Sequence, residues 1–144
     1  MEIKIFSVWK AAEYQPINST YAIRIFPSDT FSNSLPPLID SPLYRKIMEY
    51  TFDDNDIHPF LQERGPVWFN ENIAEKIIKD FVESKDEIET LLVHCSVGKN
   101  RSPAVALSLN EIFGLGADSN ALKTRYEHYN RFVYEMMVEI GSRK

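Results

Sequence analysis

The chain holds a single cysteine, Cys95, and an arginine, Arg101, follows it with Ser96, Val97, Gly98, Lys99 and Asn100 between them. A hydroxyl residue, Ser102, and a proline, Pro103, come directly after. A thiolate is a strong nucleophile. A guanidinium offers a planar fork that grips two oxygens of a phosphate at once. Gly98 lets the loop bend so that successive backbone N–H groups converge on one anion. Together these residue types suit covalent phosphoryl transfer. Cys95 attacks, Arg101 and the amides of residues 96 to 101 hold the equatorial oxygens, and Ser102 assists departure of the thiolate when water removes the phosphate.

Such a loop needs a strand before it and a helix after it. Leu91-Leu92-Val93 reads as a short buried strand. Ser102 is expected as the N-cap and Pro103 as the first helical residue of a helix reaching Ile112-Phe113, with Gly114 as its stop. The loop then sits at a helix N-terminus, where free N–H groups and the dipole favour both a bound anion and the thiolate. Strands are also expected over 3–8, 21–26 and 47–52, with a short helical turn over 10–14 and a surface loop over 27–42. Asn70 can cap a helix that puts Ile73, Ile77, Ile78, Phe81 and Val82 on one face. Residues 121–140 carry the spacing of an amphipathic helix or pair of helices stopped at Gly141. Strands interleaved with helices predict an α/β fold in one domain, 1–144, with a central, mostly parallel sheet of about four to five strands flanked by helices.

The run His94-Cys95-x-x-Gly98-x-x-Arg101-Ser102 resembles the signature of the cysteine-dependent protein tyrosine and dual-specificity phosphatase superfamily. The short chain and the Ser102-Pro103-Ala104 continuation are most similar to small bacterial and phage tyrosine-phosphatase-like proteins. The resemblance implies a dual-specificity-phosphatase-like fold and a phosphocysteine intermediate. It also implies a general acid, an aspartate on a loop after a strand, to protonate the leaving oxygen. Asp53, Asp54 and Asp56 follow the strand ending at Phe52. Phe52-Asp53-Asp54 resembles the aromatic-x-Asp pattern, which favours Asp54, forty-one residues ahead of Cys95, with Asp53 and Asp56 as alternatives. His94 is expected to orient the loop and not to transfer protons. His58 is read as a loop histidine, His128 as a surface residue, Asn130 as a cap or packing residue, and Arg24 as either ion-paired or exposed.

The implied activity is protein phosphatase action on phosphotyrosine, with phosphoserine or phosphothreonine as further substrates, and the partner a phosphorylated protein or peptide. Lys99 is shared with phosphoinositide phosphatases of the superfamily and Asn100 with RNA 5′-triphosphatases, so both remain alternatives, as does a phosphate-binding module without turnover. No metal or other cofactor is expected, since one cysteine and three scattered histidines give no ligand spacing. A net charge of −5 disfavours a nucleic-acid partner. The lone cysteine suits a reducing compartment. With no apolar run long enough to span a membrane, a soluble, cytoplasmic protein is expected.

Overall fold

The computed structural model describes residues 1–28, 34–54 and 67–143. Asp56 and His58 lie outside the described residues. Four strands, β1 (Glu2–Ser7), β2 (Thr20–Phe26), β3 (Tyr44–Thr51) and β4 (Thr90–Cys95), form one sheet in the order β1-β4-β2-β3. Every pair is parallel. The expected α/β class and its sheet are therefore present, with four strands. β2 and β4 occupy the centre and are buried along their whole lengths, as strands covered on both faces must be.

Period-two alternation divides the sheet into two faces. Tyr21, Ile23 and Ile25 of β2 and Leu91, Val93 and Cys95 of β4 join the main core. That face is covered by α2 (Glu71–Val82), α3 (Arg101–Phe113) and α5 (Arg131–Ser142). Ala22 and Leu92 point the other way, into a smaller cluster closed by Ala11 of α1 (Val8–Glu13), Leu38 and Tyr44. The stretch expected as a surface loop over 27–42 thus does more than connect. Its described part carries a buried leucine over the second face, because a central strand leaves no apolar face for water.

α2 starts where Asn70 accepts a hydrogen bond from the Ile73 amide, and its buried Ile77, Ile78 and Phe81 are those the spacing anticipated. Gly114 ends α3 in the left-handed region, at φ +59°. The tail divides into α4 (Ser119–Arg125) and α5, because Asn130 caps the Val133 amide and restarts the helix. Gly141 does not stop α5, which runs on to Ser142. Its role is close packing, since a Cβ there would lie 2.6 Å from Ile112 Cδ1 of α3. No helix among the described residues is long and apolar enough to cross a membrane.

Candidate active site

β4 ends at Cys95 and α3 begins at Arg101, so the loop 96–100 is the whole of the connection. Cys95 is buried, with its sulfur 3.1 Å from Ser102 Oγ and accepting a 3.2 Å hydrogen bond from the Gly98 amide. The loop can turn this tightly because Gly98 has φ +82°. It is also pressed onto β1, and a Cβ at Gly98 would sit 2.7 Å from the backbone of Phe6 and of Ser7. Only glycine meets both demands.

The start of α3 differs from the sequence expectation. Asn100 occupies the N-cap position, without a side-chain cap bond, and the helix is already formed at Ser102. The N-cap assignment of Ser102 is therefore corrected. Its hydroxyl faces the Cys95 sulfur, and Asn100 Nδ2 donates instead to the His128 carbonyl at 2.7 Å. Serine before proline carried two readings, cap or sulfur partner, and only the fold of the loop separates them.

Arg101 is buried, and one guanidinium nitrogen donates to the Phe52 carbonyl at 2.8 Å while the other donates to Ser96 Oγ at 3.2 Å. It thereby ties the loop after β3 to the cysteine loop. The two aspartates that follow Phe52 have different surroundings. Asp53 is buried and accepts from the Ser28 amide at 3.0 Å, the Ser28 hydroxyl at 2.5 Å and the Val67 amide at 2.8 Å. Burial opposes its charge, yet those bonds and the Arg101 guanidinium together hold its carboxyl below the usual carboxylate range. Asp53 is a fastener. Asp54 instead lines a cavity of about 340 Å³ together with Pro27, Cys95, Ser96, Val97, Asn100 and Arg101. Its Oδ1 accepts from Asn130 Nδ2 at 3.0 Å.

Gly98 and Lys99 do not line that cavity but border a separate one. Asn130, expected only as a cap or packing residue, also donates its backbone N–H to the Asn100 carbonyl at 2.9 Å. It so links the cysteine loop, Asp54 and α5. Nothing in the local spacing signalled the contact with Asp54.

Alternation along β4 turns His94 away from Cys95 toward the second face. There Nε2 accepts from Arg24 Nε at 2.9 Å, and a second Arg24 nitrogen donates to the Pro36 carbonyl at 2.6 Å. Arg24 is buried, with Glu49 3.7 Å away. Burial and then the Arg24 charge lower the His94 pKa to about 4, against a raising contact with the Cys95 backbone. The ring is neutral and, with Nε2 as acceptor, carries its proton on Nδ1. Of the two readings of Arg24, the ion-paired one holds, with Glu49 as partner; its bond to His94 had no local signal, because strand register and not sequence proximity places the two side by side. His128 is exposed, as expected.

No family model matches the chain, and no curated protein does. Among solved structures it is similar to Tk-PTP in the active form, with TM-score 0.57 and 13% identity, over 100% of this chain and 94% of that one. A human tyrosine phosphatase-like serine/threonine/tyrosine-interacting protein aligns at TM-score 0.48 and 16% identity, over 87% of this chain and 76% of that one. A likeness at such low identity speaks for architecture alone: the chain has an α/β fold similar to that of Tk-PTP, a parallel sheet flanked by helices.

Proposed function

We propose that the chain is a cysteine-dependent phosphomonoesterase that acts on phosphorylated proteins or peptides. The observation that carries this reading is the Cys95 sulfur held between the Gly98 amide and the Ser102 hydroxyl, in one cavity with Arg101 and Asp54. In the first step the Cys95 thiolate forms a bond to phosphorus as the bond to the ester oxygen breaks, and Asp54 gives that oxygen its proton. The loop amides and Arg101 neutralise the charge on the equatorial oxygens. In the second step Asp54 accepts a proton from water as water attacks the phosphocysteine. The Ser102 hydroxyl then donates to the departing thiolate. Asp53 serves the reaction by tying the backbone beside Asp54 to Ser28 and Val67, and His94 by its place in the strand that carries the nucleophile. A free thiolate nucleophile belongs in a reducing compartment, which favours the cytoplasm.

Hydrolysis of an aryl phosphate, followed by release of the phenol, tests the reading. Wild-type turnover that disappears in Cys95→Ser is expected. Phosphate binding without turnover would instead leave a non-catalytic recognition module, and turnover retained in Cys95→Ser would remove Cys95 from the chemistry.

A further inference from the structure

Beside the Cys95 cavity lies a second one of about 540 Å³, and Val97 borders both. Three cations from three separate elements line it: Lys10 of α1, Lys99 of the cysteine loop and Arg125 at the end of α4. All three are exposed, and among the described residues none of them forms a salt bridge with a carboxylate. What holds two of them is aromatic. Lys10 Nζ lies 4.9 Å from the centre of the Phe6 ring and the Arg125 guanidinium 5.4 Å from that of Tyr126. Among the described residues the one carboxylate on the cavity wall, Glu127, has His128 as its neighbour at 3.4 Å. In a chain of net charge −5, three cations against one carboxylate around one concavity mark a place for an anion.

Resting on the phosphatase reading above, we propose that this cavity binds a second phosphate of the substrate, so that the preferred substrate is a peptide segment carrying two phosphorylated residues close in sequence. One phosphate enters the Cys95 loop and the other crosses the exposed Val97 to Lys10, Lys99 and Arg125. A linear peptide suits two cavities that meet at Val97. RNA and anionic membranes suit them less, because both present continuous negative charge that Glu127 and the acidic remainder of the surface repel.

Binding to the Cys95→Ser protein tests this apart from the chemistry, since the pocket can be measured even if no turnover occurs. The probes are a phosphotyrosyl peptide and its doubly phosphorylated forms, with a phosphoserine moved stepwise to either side. At least one doubly phosphorylated peptide is expected to bind about tenfold tighter than the single one, the effect of one charge-assisted hydrogen bond. Lys10→Met with Arg125→Met should abolish that preference while leaving affinity for the singly phosphorylated peptide and aryl phosphate hydrolysis unchanged. Equal affinity for all peptides overturns the proposal, as does a preference that survives the double substitution. Binding of phosphoinositide vesicles or 5′-triphosphorylated RNA that needs Lys10 and Arg125, without any peptide preference, also overturns it and assigns the cavity to that ligand. Failure of aryl phosphate hydrolysis with the peptide preference intact overturns the enzyme reading alone.

Discussion

His94 is fully buried, neutral and clamped by Arg24, so acid should destabilise this protein through a residue that takes no part in proton transfer. In the unfolded chain the ring titrates near 6.5, and in the folded protein near 4, because burial and the Arg24 charge oppose its protonation. Between those values the unfolded chain binds a proton that the folded chain refuses. Stability from this group is therefore complete above pH 6.5 and drains away as pH falls toward 4. At about 1.4 kcal/mol per tenfold change in proton affinity, the interval amounts to about 3 kcal/mol. Urea unfolding followed by tryptophan fluorescence at a series of pH values from neutral to 4 measures it. His94→Gln, which keeps an acceptor for Arg24 Nε, removes the titration and leaves the acid response of the carboxylates common to both proteins. The stability of wild type minus that of His94→Gln should shrink by about 3 kcal/mol across the interval. A difference independent of pH would refute the argument. So would a His94 ring resonance in the folded wild type titrating near 6.5, a measurement that needs no variant at all.

The other expectations concern the aspartates and two glycines. Asp54→Asn should lower kcat about a hundredfold or more toward alkyl phosphates, with a smaller loss toward activated aryl phosphates, and leave the urea midpoint in place. Asp53→Asn should cost about 2–3 kcal/mol of stability, because an amide has one acceptor oxygen where the carboxylate uses two, and its NH2 would face a backbone N–H of Ser28 or Val67. Gly98→Ala should cost about 2 kcal/mol or more and abolish turnover, since the residue needs positive φ and its new methyl would meet the backbone of Phe6 and Ser7. Gly141→Ala should destabilise by about 1 kcal/mol despite better helix propensity, because its methyl would meet Ile112, and the added substitution Ile112→Val should recover part of the loss. Thermal unfolding read alongside hydrolysis separates these outcomes.

Much of the architecture was legible because the signals are local. A buried strand, a proline just inside a helix and a left-handed glycine at its end each leave a mark within a few residues, so β4, α3 and Gly114 could be placed before any fold was known. Asn70 and the apolar face of α2 were legible for the same reason. The misreadings share another cause. Ser102 has the chemistry of a cap, and only the path of the loop decides that its hydroxyl meets a sulfur. Gly141 has the chemistry of a stop, and only the approach of α3 reveals it as a space. The stretch over 27–42 has the composition of a surface loop, yet the sheet behind it needs cover.

By itself the sequence determined the chemistry on offer: one cysteine, one arginine six positions on, and a loop able to turn between them. It left three aspartates as candidates for one role, since Asp53 and Asp54 are adjacent and chemically identical. The tertiary structure separated those two by surroundings, giving Asp53 three hydrogen-bond donors and placing Asp54 in the cavity with Cys95. It also set Arg24 against His94 and gathered Lys10, Lys99 and Arg125 around one concavity. Residue type sets what a group can do, whereas burial, register and the approach of distant segments set what it meets. Those are properties of the folded chain and are written in no single stretch of it.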